Sequence, residues 1–134
     1  MLLTCDHASN AIPRALDGLG LPPAARRQHI AWDIGAAAVT RLLAQALGAP
    51  ALLTGYSRLV IDCNRDPADA TSIPAVSDGV AVPGNRDLAE AARATRRAAC
   101  FTPYHTAIAA RLDALLAGYS RLVIDCNRDP ADAT

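Results

Sequence analysis

An α/β fold with a mostly parallel sheet is what this 134-residue sequence predicts, and three observations carry the prediction. Short apolar runs alternate with helix-period segments in the order strand, helix, strand, helix, strand. The run Leu59-Val60-Ile61 leads straight into a dense polar word, Asp62-Cys63-Asn64-Arg65-Asp66-Pro67, as expected where ligands collect at the carboxyl ends of strands. Hydrophobic residues make up 51% of the chain and aromatic residues only 4%, which describes one domain with a core of Ala, Leu, Val and Ile.

The elements follow in order. Met1 to Cys5 reads as a first strand running into Asp6-His7-Ala8-Ser9-Asn10. Ile12-Pro13 and Leu21-Pro22-Pro23 punctuate a loop or short helix, and Ala24 to Ile30 has room for a helical turn or two. Trp32-Asp33-Ile34-Gly35 opens a helix over about 33–47, with Val39, Leu42, Leu43 and Leu47 as its apolar stripe and Gly48 as its stop. Ala51 to Thr54 is a candidate strand, and Leu59 to Asp62 is the clearest one. Residues 66–86 hold Pro67, Pro74, Pro83, Gly79 and Gly84, so a long loop is expected, of the kind that is functional or disordered. From Asp87 the pattern turns helical, with Leu88, Ala91, Ala92 and Thr95 on one face. Pro103 interrupts it, and a second helix carries Ile108, Leu112, Leu115 and Leu116.

Residues 118–134 repeat residues 55–71 without one change. The match runs back through Ala51-Leu52-Leu53 and Ala114-Leu115-Leu116, broken only by Thr54 against Ala117. Repeat architectures drift between copies and need about three units to share a core. Two identical copies read instead as a duplication or an assembly artefact. The expected division is therefore an N-terminal domain part over 1–117 and the copy over 118–134, with a further strand at 120–125.

Thirteen basic and thirteen acidic side chains cancel, so neither nucleic acid nor an anionic membrane is expected as a partner. No run approaches the roughly 20 apolar residues of a membrane span, and the N-terminus shows no signal-peptide pattern. A soluble, cytoplasmic protein is the expectation. The four cysteines, Cys5, Cys63, Cys100 and Cys126, lack CxxC spacing and read as reduced, partly buried thiols.

Several residues are candidates for chemistry. His7, flanked by Asp6 and followed by Asn10, reads either as a zinc ligand at a strand terminus or as an ordinary loop histidine. His29 and Asp33 lie four apart, which on a helix makes either a ligand with its orienting carboxylate or a cap beside a surface histidine. Trp32 beside them reads as a core or pocket-wall residue. Arg58, Asn64 and Arg65 form the strongest signal, because guanidinium forks match carboxylates; the alternative is a strand whose arginines pair with Asp62 and Asp66. His105 follows Pro103-Tyr104 near a helix start. Ser9 and Ser57 lack the GxSxG setting of a serine nucleophile.

Five words in this order resemble the N-formylglutamate amidohydrolase family, also called N-formylglutamate deformylase. They are Leu3-Thr4-Cys5-Asp6-His7-Ala8-Ser9-Asn10, His29-Ile30-Ala31-Trp32-Asp33-Ile34-Gly35-Ala36, Ser57-Arg58 through Asp66-Pro67, Ser72-Ile73-Pro74 and Pro103-Tyr104-His105. The resemblance covers about residues 2–117. It implies a three-layer, phosphorylase/hydrolase-like α/β sandwich related to zinc carboxypeptidases, here incomplete. It also implies zinc-dependent hydrolysis of N-formyl-L-glutamate to formate and glutamate, in histidine degradation. In such relatives a His-x-x-Glu word and a later histidine hold zinc. By position His7 is the first ligand, Asn10 stands where relatives carry glutamate, and Asp33 is the candidate to replace it. Asn64 and Arg65 would take the substrate's α-carboxylate, with Arg58 assisting. The resemblance also implies an Ile-His-Ser-Phe-Thr-Pro-like word after the helix ending near Leu116, where the copy stands instead. An inactive fragment is therefore expected. The alternatives are a non-catalytic carboxylate-binding or interaction remnant, or another N-acyl-amino-acid deacylase of the same superfamily. Oligomeric state is left open.

Overall fold

A computed structural model of the chain describes residues 1–125, with side chains through Gly118. Two three-residue strands, β1 (Leu3–Cys5) and β2 (Ala51–Leu53), pair in parallel with Leu3 opposite Ala51 and Cys5 opposite Leu53. Parallel strands need a crossover, supplied by helix α1 (Ala36–Leu47). Gly48, at φ 57°, ends α1 as expected: a left-handed residue lets its N–H turn back to the carbonyls of Ala44 and Gln45. The helix begins three residues later than the sequence suggests. Asp33 spends its N–H on the His7 carbonyl at 3.0 Å, so Trp32 to Gly35 form turns that tie the helix entry to the loop after β1.

The clearest strand of the sequence reading is not a strand. Leu59, Val60 and Ile61 are buried, at 0%, 0% and 3% exposure, yet Leu59 and Val60 lie in a turn and Ile61 in irregular backbone after it. Ser57 turns the chain: its hydroxyl donates to the Ala31 carbonyl at 2.7 Å and accepts from the Leu59 N–H. The carbonyls that a neighbouring strand would satisfy are taken by side chains. Asn85 donates to Leu59 O at 2.8 Å, and Arg96 donates to Val60 O at 3.2 Å. Buried backbone polar groups need partners of some kind, and these two polar residues substitute for a ladder. Around this triplet gather Leu19, Leu21, Ile30, Ala31, Ile73 and Val82, the main core.

The long segment after Asp66 is more ordered than a loop. It forms a small antiparallel hairpin of β3 (Val76–Ser77) and β4 (Val80–Ala81). The hairpin closes on Asp78 and Gly79, both at positive φ, as a two-residue primed turn requires. Helix α2 (Glu90–Arg96) then passes through a π-helical turn at Arg97–Phe101 directly into α3 (Thr102–Asp125). Pro103 was expected to break the run, because proline lacks an N–H and clashes with the carbonyl four residues back. The wide π turn absorbs that mismatch, and the helix continues.

The strand expected at 120–125 is also corrected: those residues continue α3 as helix. Gly55 to Asp62 and Gly118 to Asp125 are the same eight letters in two conformations, a bend, a turn and irregular backbone in the first copy and helix in the second. Local propensity is a weak prior that context overrides. Cys126 and the rest of the second copy lie outside the described residues.

Candidate active site

The loops that follow the two parallel strands are stitched together by Thr54. Its N–H donates to the Cys5 carbonyl at 3.0 Å, its hydroxyl donates to the Asp6 carbonyl at 2.9 Å, and the same hydroxyl accepts from the Ala8 N–H. From α3, the Tyr104 hydroxyl donates to Asp6 Oδ1 at 2.6 Å. Burial and the bond to Asp6 push the Tyr104 pKa above its ordinary value, so it stays a donor. These contacts hold the backbone on both sides of His7, at the carboxyl ends of β1 and β2.

His7 is 8% exposed and sits between two carboxylates. Its Nε2 lies 2.7 Å from Asp62 Oδ1, and its Nδ1 lies 3.2 Å from Asp33 Oδ2. A carboxylate only accepts, so both ring nitrogens carry protons when both bonds are made, which means an imidazolium. The bond to Asp62 raises the His7 pKa above 6.5; burial and Arg58 oppose it, while the Asp62 charge and the Asp33 bond support it.

Asp62 is the hub. It is 3% exposed, and besides His7 it accepts the Asn64 N–H at 2.9 Å and lies 3.3 Å from Arg58 Nη2 and 3.4 Å from Arg65 Nε. Burial works against its ionisation, but the His7 bond, the Asn64 N–H and the charges of His7 and Arg58 outweigh it and hold its pKa at about 2. Arg58 also reaches Asp33 Oδ1 at 3.3 Å. Two depressions open on this cluster. One of about 530 Å³ is lined by Asp6, His7, Asp33, Ile34, Val39 and Asn64, among others. The other, of about 370 Å³, has Arg58, Asp62, Arg65, Thr71 and Asp78 in its wall.

These shifts predict a pH window in the metal-free chain. The raised His7 pKa contributes stability fully below pH 6.5, lost as pH rises through the raised value. The depressed Asp62 pKa contributes above pH 3.8, lost as pH falls through about 2. Urea midpoints of the chain and of His7→Gln should therefore differ most near pH 5 and converge as pH rises through the raised His7 value. A gap unchanged across that range would contradict the pairing.

The sequence-predicted residues divide. His7 and Asp33 are brought together, and Asn64 lines the same depression. Arg58 and Arg65 converge on Asp62, while Arg65 also donates to the Thr71 hydroxyl at 2.8 Å. Asn10 is not brought to His7: its amide donates to the Arg26 carbonyl at 3.0 Å, in a separate depression with Pro23 and Arg27. His29 does not pair with Asp33. That segment is turn rather than helix, and His29 Nε2 meets exposed Asp78 in the β3–β4 turn at 2.9 Å. His105 donates from Nε2 to the Cys63 carbonyl and stacks on Phe101, a packing role. Trp32 lies partly buried against the main core. Cys5, Cys63 and Cys100 are free thiols, and burial pushes Cys63 up to about 12. What the residue reading missed is Asp62 as the centre and Thr54 and Tyr104 as supports. Only Asp62 had a signal, between two arginines that both needed a counter-ion.

The sequence model of N-formylglutamate amidohydrolase matches residues 1–119. The chain belongs to the N-formylglutamate amidohydrolase family. Its fold is similar to the crystal structure of a gene product from Agrobacterium tumefaciens, with 39% identity and a TM-score of 0.85. The match covers 87% of this chain and 47% of that one, so the chain spans less than half the length of that neighbour. No curated protein sequence matches the chain. No described helix is long and apolar enough to cross a membrane.

Proposed function

We propose that this amidohydrolase chain carries the His7 half of a zinc-dependent site that hydrolyses N-formyl-L-glutamate to formate and L-glutamate, in the cytoplasm and in histidine degradation. The observation that carries the reading is His7 held between Asp62 and Asp33 at the strand ends, with Arg58 on both carboxylates and Arg65 on Asp62. A metal-bound histidine commonly gives its second ring nitrogen to a carboxylate, which fixes the ring. Asp62, buried and four-fold partnered, suits that orienting role. Asp33, whose side chain is 54% exposed, suits a ligand beside Nδ1.

The donor set fits zinc in kind: imidazole and carboxylate are both ordinary ligands. Zinc supplies polarisation of the formyl carbonyl and a water whose pKa is brought towards neutral. His7 must give up its Nδ1 proton to bind, so zinc affinity rises with pH until His7 is neutral. The chain's own residues orient the substrate. Arg58 and Arg65, braced by Asp62, offer their remaining N–H donors to a carboxylate, and Asn64 adds an amide on the His7 side.

Among the described residues no three His, Cys, Asp or Glu side chains surround one metal position, whereas a catalytic zinc takes three protein ligands. The proposal is accordingly that the chain alone is inactive and that a further ligand completes the site. Calorimetry tests this. Glutamate is expected to bind the full chain only with zinc present, with both signals lost in His7→Ala. Glutamate binding that needs no metal supports a carboxylate-binding remnant instead. Zinc-dependent formate release by the chain alone would refute the inactivity.

A further inference from the structure

A depression of about 280 Å³, separate from the His7 cluster, is lined by Asn10, Ala11, Ile12, Pro23, Arg26 and Arg27. Its wall is more polar than apolar, and it holds two cations and no acidic residue. Arg26 and Arg27 end the short 3-10 turn Ala25–Arg27. Among the described residues neither guanidinium takes part in an ion pair or a hydrogen bond; only their backbone carbonyls do, accepting from Asn10 and Trp32. Arg26 is half-buried, and its Nε is shut off from solvent with no acceptor. Its guanidinium lies against Gly18, at φ 60°, where a Cβ would come within 2.9 Å of Nη1.

Arg96 and Arg97 also leave Nε unpaired, but both hold backbone carbonyls through their terminal nitrogens. Arg26 has no such compensation. A guanidinium carries five N–H donors, and a buried polar group without a partner is costly enough that an unpaired one points to an ion or water. Two positive charges with unspent donors in one small depression match a doubly charged oxyanion, because the guanidinium fork spans two phosphate oxygens. We infer that Arg26 and Arg27 form a binding site for a small phosphate-class anion, either inorganic phosphate or a phosphate monoester. The bound anion braces the segment from His7 to Ile12. In that segment the Asn10 amide already holds the Arg26 carbonyl at 3.0 Å, and the Ala11 carbonyl accepts the Ser57 N–H at 2.8 Å. Phosphate therefore stabilises the fold by mass action, whether or not the hydrolase reading holds.

The test titrates the full chain with inorganic phosphate at an ionic strength held constant with sodium chloride, read by backbone amide shifts and calorimetry. Saturable binding is expected, with shifts at Asn10, Ala11, Ile12, Arg26 and Arg27 and none at Arg65 or Thr71 in the other arginine-lined depression. Arg26→Gln should weaken binding roughly 10- to 100-fold, the loss of charge-assisted hydrogen bonds. Arg26→Lys should not restore it, since a point charge lacks the fork. Arg27→Gln, at an exposed position, should weaken binding roughly two- to fivefold, and keeps the test open if Arg26→Gln does not fold. Phenyl phosphate binding at the same residues identifies a monoester site, and its exclusion identifies a site for free phosphate. No saturable binding, the same shifts with chloride alone, shifts centred on Arg58 and Arg65, or binding unchanged in both glutamine variants would overturn the inference.

Discussion

Replacing Asp62 with alanine is expected to lower folding stability by ~3–5 kcal/mol, the range for breaking a buried ion pair by removing one partner. Asp62 is where His7, Arg58, Arg65 and the Asn64 N–H meet. Its loss leaves an imidazolium 8% exposed with its shorter bond gone, and two guanidinium groups facing each other without their shared anion. Asp62→Asn is the sharper variant. It preserves shape and one acceptor, so it should cost less stability while returning the His7 pKa towards 6.5, because the bond to Asp62 is the largest influence raising it. NMR titration of His7 in Asp62→Asn reads this directly. An unchanged His7 pKa, or an Asp62→Ala chain as stable as the original, would remove Asp62 from the centre of the site.

Arg96→Ala should be of similar size and falls on the fold rather than the site. Arg96 is 5% exposed, and its guanidinium donates to Val60 O, to Gly84 O at 2.9 Å and to Asn85 Oδ1 at 2.6 Å. Asn85, oriented by that bond, donates to Leu59 O and Pro74 O. Truncation orphans three buried acceptors at about 1–3 kcal/mol each, and relaxation towards water keeps the total near ~4 kcal/mol rather than the sum. The Leu59–Ile61 turn should loosen first, which amide hydrogen exchange at Val60 and Asp62 would report. Arg96→Lys should not rescue it, since one ammonium cannot span the three acceptors that a planar fork reaches. Full stability in Arg96→Lys would show that the charge, and not the fork, is what matters.

These two residues also show where the sequence was legible. The β1–α1–β2 unit could be read because its signals are local: an apolar run, a helical stripe and a stop at Gly48. The burial of Leu59, Val60 and Ile61 was equally legible. Their conformation was not, because three apolar residues cannot distinguish a strand from a buried turn. The deciding partners, Asn85 and Arg96, lie far along the chain and look like ordinary surface residues. The repeat sharpens the point, since Gly55–Asp62 and Gly118–Asp125 share every letter and differ in backbone. At the site, residue types at strand ends pointed to His7, Arg58, Asn64 and Arg65. The pairing of Asp33 with His7, rather than with His29 four residues away, is tertiary, set by a backbone bond between Asp33 and His7 that no spacing rule contains. The exposed α1 stripe misleads in the opposite way. Its period predicts a buried face, and within these residues that face is open.

The most direct test of the account is the nitrogen NMR signal of the His7 ring during a zinc titration of the full chain. The account predicts that Nδ1, on the Asp33 side, loses its proton and takes a metal-bound shift, while Nε2 keeps its proton and its bond to Asp62. If zinc at saturation leaves both ring nitrogens unchanged, His7 is not a metal ligand and the proposed hydrolase half-site is wrong.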